Sequence, residues 1–236
     1  MSLAWAAVGA VAALPAATVL RGRVYQLSVP AGACERAACA DCAAPLSPRP
    51  ALRCWSCGSW FGAPAAIELT AAAVTGLLFA RFGAVPEVVA FAYLGVLAVA
   101  LAQVDAVVQR LPDSLTLPAY PALIALLGVA AIVSHDGAAL LRALLGGLAL
   151  GGGYLLLGLA SRWQLGGGDI KLAGLVGLAL GWLGWRTLIT GASLGFVLAA
   201  AVSLILLAAG RVSRQTMISF GPFMLGGALL AVMATG

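Results

Sequence analysis

The amino-acid sequence predicts an all-α polytopic membrane protein with about eight transmembrane helices and a small cysteine-rich loop module on the cytoplasmic side. Of its 236 residues, 63% are hydrophobic and only 9% are charged, whereas soluble domains carry roughly 25% charged residues. The mean hydropathy of +1.07 favours the same class. Four of the five cysteines form two C-x-x-C pairs within one polar stretch, which predicts the loop module.

Apolar segments long enough, or nearly long enough, to cross a bilayer recur along the chain, since a helical crossing takes about 20 residues. The first runs directly into arginines without the cleavage site of a secretory signal, so we expect it to be retained. The sixth is short and rich in glycine. The predicted spans are 3–20, 65–82, 86–104, 115–133, 138–160, 170–184, 187–209 and 216–235.

The distribution of basic residues predicts the orientation of these spans. The formal net charge is +5, and every basic residue except Lys171 is an arginine. With the amino terminus outside, ten basic residues lie in or beside cytoplasmic segments and three near the other face, as the positive-inside rule requires. They are scattered singly, which indicates membrane lipids and not nucleic acid as their counterpart. The ten are Arg21, Arg23, Arg36, Arg49, Arg53, Arg110, Arg162, Lys171, Arg211 and Arg214.

Two carboxylates stand at the ends of apolar runs, and the predicted topology places both on the cytoplasmic side. They are Asp105 and Asp169, the latter directly after three glycines. Ionisable groups at membrane depth are functional by default. Two carboxylates that share a proton can hydrolyse a peptide bond, because one activates water while the other, protonated, polarises the carbonyl. For Asp169 alone, capping of a helix that begins at Ile170 is an alternative.

Three further sequence features accompany the aspartates. Glycines before Asp169 would let backbone or substrate approach closely. Asp113 follows a proline and suits the first turn of a helix, where it faces the positive end of the dipole. Lys171 could act electrostatically on Asp169, although a lysine at a cytoplasmic helix end also reaches the interface without further purpose.

The paired cysteines predict a tetrahedral thiolate site for structural zinc. The pairs are Cys39 with Cys42 and Cys54 with Cys57, and each is expected to form one knuckle of the site. A reducing cytoplasm disfavours the alternative of two disulfides. Cys34 lies outside this pattern, either as an alternative ligand or as a free thiol.

Other classes are less well supported. Gly191–Gly195 formally reads G-x-S-x-G, but the one histidine, His135, is predicted on the opposite side of the membrane, so a Ser-His pair lacks its base. The H-E-x-x-H pattern of zinc proteases does not occur in the sequence. The main alternative is an ion- or proton-coupled transporter that uses the paired aspartates. Another is a catalytically silent assembly factor.

The G-G-G-D-I-K-L run at 166–172, together with Asp105 eight residues ahead of Asp113 in an L-P-D-S-L-T-L-P context, resembles the type IV prepilin peptidase family. The resemblance covers nearly the whole chain. It implies a first transmembrane helix at 1–20, a cytoplasmic tetracysteine loop at 21–64 and a GxGD peptidase domain at 65–236. The residues it implies are Asp105 and Asp169 as the catalytic pair, Gly166 and Gly168 of GxGD, Glu68, and the ligands Cys39, Cys42, Cys54 and Cys57.

Members of that family remove the short basic leader from prepilins and pseudopilins at the cytoplasmic face of the bacterial inner membrane. Many also methylate the new amino terminus with S-adenosylmethionine. This chain departs from the pattern, because the loop between the cysteine pairs is short and residues 19–25 keep only a trace of the usual motif. The prediction is therefore leader cleavage, with methylation left open.

Overall fold

The computed structural model describes residues 2–30, 33–46, 52–62, 65–160, 166–211, 213 and 219–234. Within these ranges the chain is helical, and its only strand-like pairings are two isolated bridges in the cysteine loop. The predicted all-α class is confirmed. The helices are α1 (Ser2–Leu27), α2 (Ala66–Phe82), α3 (Val88–Val108), α4 (Asp113–Ser134), α5 (Gly137–Ala160), α6 (Gly167–Leu183), α7 (Trp185–Ala208) and α8 (Gly221–Ala234).

Several helices extend beyond the apolar segments that predicted them. Helix α1 continues to Leu27, past the predicted end at residue 20, and α3 continues to Val108, so that Asp105 lies inside it. Helix α6 begins at Gly167, before the predicted start at residue 170. The reason is that hydropathy marks where lipid contact ends, whereas backbone hydrogen bonding continues until a residue breaks the helix.

Five helices of the described part are long and apolar enough to cross a membrane, namely α1 from Leu3 onward, α3, α4, α5 and α7. Helices α2 and α6 have 17 residues each and α8 has 14. A 17-residue helix is about 26 Å long, slightly less than the ~30 Å hydrocarbon layer. Neighbouring helices and local thinning accommodate such lengths.

The chain divides into two compact units, Met1–Pro112 and Asp113–Gly236. The first unit contains α1, α2, α3 and the cysteine loop. Within it, α1 and α2 approach closely where a glycine faces a threonine. The buried hydroxyl of Thr75 donates to the carbonyl of Gly9 at 3.0 Å, and a Cβ on Gly9 would meet the Thr75 carbonyl at 2.6 Å. Small residues and interhelical hydrogen bonds of this kind hold helices together in lipid, where apolar side chains alone give no preference for protein contact.

The second unit, α4–α8, is built around α6. Every residue of α6 from Leu172 to Trp182 is buried, as expected for a helix that is apolar on all sides. Helix α5 packs on it through glycines: a Cβ on Gly146 would stand 2.7 Å from the Gly177 carbonyl, and a Cβ on Gly177 would stand 2.5 Å from the Gly146 carbonyl. Helix α6 is thereby held as the central element that carries Asp169 at its start.

The other end of α6 is held by an arginine. Arg142 of α5 donates from Nε to the carbonyl of Gly181 at 3.1 Å and from Nη2 to the carbonyl of Trp182 at 2.7 Å. Carbonyls in the last turn of a helix lack intrahelical partners, and a cation there also complements the helix dipole. Two carbonyls of the last turn of α6 thus accept hydrogen bonds from α5.

Replacing Gly177 by alanine is expected to destabilise the second unit by about 1–3 kcal/mol, because the new methyl group would overlap backbone atoms of α5 and force the two helices apart. Thermal unfolding of the purified protein in detergent measures this. Gly152→Ala is the control, since a Cβ there meets nothing within 4 Å, and alanine favours a helix more than glycine. Equal unfolding temperatures for the two variants would contradict the close packing.

Candidate active site and metal centre

Asp105 lies in the last turn of α3 and is 5% exposed. The residues before it, Leu101 and Val104, are fully buried. Helix α3 ends at Val108, and the cap residue Gln109 adopts a left-handed conformation with φ +52° and donates its N–H to the Asp105 carbonyl at 2.8 Å. The chain therefore holds a carboxylate at the buried end of an apolar helix, which is uncommon unless the group has a function.

Asp169 is the third residue of α6 and partly buried. Gly166 is the residue before the helix, in an extended conformation, and its carbonyl accepts the N–H of Asp169 at 3.0 Å. The capping alternative for Asp169 is therefore wrong, because the helix begins two residues earlier than Asp169. A Cβ on Gly166 would stand 3.4 Å from Oδ2 of Asp169. The absence of a side chain there leaves space beside the carboxylate.

The two aspartates belong to different units of the chain, Asp105 to the first and Asp169 to the second. Asp105 follows a stretch of buried apolar residues at the end of α3, and Asp169 precedes such a stretch at the start of α6. Their cooperation in one site stays a prediction.

Lys171 forms an ion pair with Asp113. Its ammonium donates to Oδ1 of Asp113 at 2.6 Å, and the two side chains are 37% and 58% exposed. Asp113 is the first residue of α4, in the first-turn position expected of it. The pair links the start of α4 to the start of α6. Because it is exposed, its contribution to stability is about 0–1 kcal/mol.

Glu68 lies in the first turn of α2 and pairs with Arg21 of α1. The Arg21 guanidinium donates two hydrogen bonds to the Glu68 carboxylate, one from Nε to Oε1 at 2.7 Å and one from Nη2 to Oε2. The Arg21 side chain is fully buried, and its Nη1 donates to the Phe61 carbonyl at 3.1 Å. Its guanidinium also lies 5.8 Å from the centre of the Trp60 ring. Arg21 thus joins α1, α2 and the cysteine loop.

The cysteine loop consists of two turns of the same backbone design, offset by 15 residues in sequence. In each turn the first cysteine donates its N–H to the carbonyl five residues later and accepts the N–H from four residues later. In each, the residue after the second cysteine has positive φ. An isolated bridge closes each turn one residue before the first cysteine. The equivalent residues are Cys39, Ala43 and Ala44 in the first turn and Cys54, Gly58 and Ser59 in the second.

The four cysteine sulfurs converge. All lie within 4.8 Å of one another, with Cys39 and Cys57 at 3.8 Å and Cys42 and Cys54 at 3.6 Å. These distances are too long for disulfides, and all four thiols are free. Four sulfurs at about 2.3 Å from a tetrahedral ion stand about 3.8 Å apart, so the geometry suits a metal ion of that size. Cys34 is exposed and outside this group.

Hydrogen bonds in the turns favour thiolates, but not at every sulfur. Ser59 Oγ and the N–H groups of Asp41 and Cys42 lower the pKa of Cys39 to about 6. The hydroxyl and N–H of Ser59 also lower the pKa of Cys57. The N–H of Ala44 lowers the pKa of Cys42, but desolvation and the neighbouring sulfurs outweigh it and raise that pKa to about 11. A divalent cation would remove this mutual repulsion, which fits a metal centre.

Loss of one ligand sulfur is expected to remove most of the bound metal. We expect elemental analysis of the purified protein to find about one metal ion per chain, and Cys54→Ser to lower this severalfold because three thiolates bind more weakly than four. Cys34→Ser is the matched control and should keep the full content. A native protein purified without chelator but free of metal would contradict the assignment.

Three residues that the sequence pattern did not single out take part in these sites. The sequence predicts Arg21 only as one of the cytoplasmic arginines, and its burial becomes apparent only in the folded structure. Ser59 Oγ lies 3.5 Å from Cys39 Sγ and 3.0 Å from Cys57 Sγ, and the only sequence signal for Ser59 was its place five residues after Cys54, matching Ala44 after Cys39. The hydroxyl of Tyr120 in α4 donates a hydrogen bond to the Lys171 carbonyl of α6 at 2.6 Å, although the two residues are 51 positions apart in the sequence.

Comparison with known proteins identifies the family. The sequence profile of the type IV leader peptidase family matches residues 91–210, a range that contains both Asp105 and Asp169. Two curated relatives, from two strains of Burkholderia pseudomallei, are named prepilin leader peptidase/N-methyltransferase. Each is 33% identical over 221 residues, covering 86% of this chain and 67% of its own length. No solved structure matches the chain significantly. The transporter alternative is not favoured, and the chain belongs to the type IV leader peptidase family.

Proposed function

We propose that this protein removes the leader peptide from type IV prepilins or pseudopilins, with Asp105 and Asp169 as the catalytic pair. The observation that carries the proposal is the placement of Asp169 in the first turn of a buried helix, behind glycines that leave its carboxylate accessible, in a chain of this family. Asp105 is the second acid at a helix end within the matched range.

In this mechanism one carboxylate is ionised and the other protonated. The ionised group takes a proton from a water molecule, which attacks the scissile carbonyl, while the protonated group donates a hydrogen bond to the carbonyl oxygen. The tetrahedral intermediate then collapses as the amide nitrogen receives a proton and leaves. Two carboxylates share one proton in this way because like charges a few Å apart cannot both ionise near neutral pH.

The substrate class follows from where the acids lie. A protein with a charged leader and an apolar helical stem would hold the stem in the bilayer and present the junction at the surface. A cleavage site at the ends of membrane helices suits that junction. Most of the binding free energy would come from the stem. Because the enzyme is itself basic, its surface arginines, as distinct from Arg21 and Arg142, are assigned to anionic lipid headgroups and not to the leader.

The orientation belongs to the same proposal. The distribution of arginines supports an amino terminus outside and catalytic aspartates at the cytoplasmic face of the inner membrane. Of the cytoplasmic residues that carried this prediction, Arg49, Arg162 and Arg214 lie outside the described residues. Fusion of a reporter to either end of the chain tests the orientation directly.

The supporting residues receive structural roles. Gly166 and Gly168 keep the start of α6 open, Lys171 and Asp113 tie α6 to α4, and Glu68 neutralises Arg21. The four cysteines would hold zinc, whose part is to fix the loop and not to react. The zinc assignment rests on the all-sulfur ligand set and the sulfur separations.

The test is cleavage of a purified prepilin by the purified protein in detergent, followed by mass measurement of the products. A shortened chain that begins with the apolar stem is the expected result. No cleavage of any prepilin under conditions where a known leader peptidase is active would overturn the proposal. The same mass measurement decides methylation by S-adenosylmethionine, because each methyl group adds the mass of one CH2 unit.

A further inference from the structure

The start of α6 is weakly fixed by its own backbone. The helix begins within a run of three glycines, Gly166 before it and residues 167 and 168 in its first turn, and it has no side-chain cap. Glycine restrains the backbone less than any other residue, so residues 166–168 contribute little to the position of Asp169. Contacts made by the residues that follow Asp169 in α6 therefore help to set where its carboxylate stands.

Tyr120 of α4 contacts the backbone of α6 shortly after Asp169. Its phenolic hydroxyl donates to the carbonyl of Lys171, two residues after Asp169, at 2.6 Å. A helix carbonyl has a second lone pair available beside its intrahelical bond, so α6 keeps its own hydrogen bonding. The hydroxyl is partly buried, and Pro118 and Pro121, which restrict the backbone of α4, flank the tyrosine.

Gly174 makes this contact possible. A Cβ at position 174 would overlap the Tyr120 hydroxyl and stand 3.0 Å from Cζ of the ring. The tyrosine therefore lies directly against the α6 backbone, less than one turn after Lys171. The ring fits only because position 174 has no side chain, so the tyrosine and the glycine form one complementary contact.

The other link between α4 and α6 is weaker. The Lys171–Asp113 pair is 37% and 58% exposed, and exposed pairs of this kind contribute little and are screened by salt. The hydrogen bond from Tyr120 is partly buried and is made to the α6 backbone itself. A rigid aromatic ring held against a backbone carbonyl restricts the helix start more than two long, exposed side chains do.

We propose that Tyr120, seated on Gly174, is a positioning residue that holds the start of α6 so that Asp169 is correctly placed for catalysis. This rests on the proposed function, in which Asp169 is one of the two catalytic acids. A misplacement of about 1 Å at a reacting group can cost about 100-fold in rate. The Tyr120 hydroxyl is already engaged by the Lys171 carbonyl, so we expect its loss to change kcat more than KM.

The experiment compares kcat and KM for prepilin cleavage in Tyr120→Phe, Gly174→Ala and the wild-type protein. Tyr120→Phe keeps the ring and removes only the hydroxyl. We expect its kcat to fall about 10-fold or more while KM changes by less than about twofold. Gly174→Ala should lower kcat similarly, because its methyl group displaces the same hydroxyl. In the double variant the losses should not add, since both substitutions break one contact.

Tyr93→Phe is the matched control, because it deletes a tyrosine hydroxyl in α3 of the first unit and should leave kcat unchanged. Rates are expressed per folded protein, measured by the monodisperse fraction in detergent. A kcat for Tyr120→Phe within about twofold of wild type would overturn the positioning role. So would a loss of activity fully explained by loss of folded protein. Failure of the proposed function looks different, because cleavage would then be absent in the wild type or unaffected in Asp169→Asn.

Discussion

Asp169→Asn is expected to lower kcat/KM for prepilin cleavage by about 1,000-fold or more, and Asp105→Asn by a similar factor. Asparagine has nearly the shape of aspartate but can neither accept a proton from water nor share one with a second carboxylate. General acid and base catalysis by a positioned carboxylate is worth about 10²–10⁴-fold, and losing one member also disables its partner. Substrate binding should persist, because it depends mainly on the apolar stem.

The double variant sharpens this test. If the two carboxylates act as a unit, the combined substitution should cost little more than either alone, since the first already removes the shared proton. Two independent losses that multiply would contradict a pair. Asp136→Asn is the control: Asp136 accepts the N–H of Ala139 at the start of α5, a role that asparagine fills equally well. The Asp136→Asn variant should cleave the prepilin at the wild-type rate.

Replacing Arg21 by methionine is expected to destabilise the first unit by about 3–5 kcal/mol, the largest effect on stability that we predict. The Arg21 side chain is fully buried and that of Glu68 is 12% exposed. Without the guanidinium, the Glu68 carboxylate is left in a poorly solvated place without its partner, and the Phe61 carbonyl loses its donor. Thermal unfolding in detergent measures the loss, and limited proteolysis of the cysteine loop shows whether the loop is released from α1 and α2.

Two comparisons separate the burial of this ion pair from charge alone. In Arg21→Met with Glu68→Met both charges are removed, so the double variant should be more stable than Arg21→Met alone. Arg23→Ala removes a neighbouring arginine whose pair with Glu35 spans 3.6 Å at 47% and 51% exposure. It should change stability by less than about 1 kcal/mol. A similar loss of stability in Arg21→Met and Arg23→Ala would show that burial of the Arg21–Glu68 pair does not increase the cost of breaking it.

The features that could be predicted from sequence are those set by local composition and spacing. The all-α class followed from hydropathy. The two C-x-x-C pairs indicated converging sulfurs, because the spacing itself forms the turn. Asp113 was expected in a first helical turn and is the first residue of α4.

Other features depended on residues far apart in the chain and left no local pattern. Arg21 counted among the cytoplasmic arginines, yet its side chain is buried and pairs with Glu68, 47 residues away. Lys171 was considered as a neighbour that acts on Asp169, but its ammonium pairs with Asp113, 58 residues away. Tyr120 was not distinguished from any other aromatic residue of a span. In each case the decisive fact is the partner, which comes from another helix.

The sequence by itself determined that this protein spans a membrane, that two aspartates stand at the ends of apolar helices and that four cysteines can hold a metal. These are consequences of the free energy of placing each residue type in lipid or water and of short-range backbone geometry. Only the tertiary structure decided that Arg21 is a buried cation, that Gly174 receives Tyr120 and that Lys171 pairs with Asp113. Such contacts form because helices pack in one relative position, and that position is set by the sum of many small interactions across the whole unit.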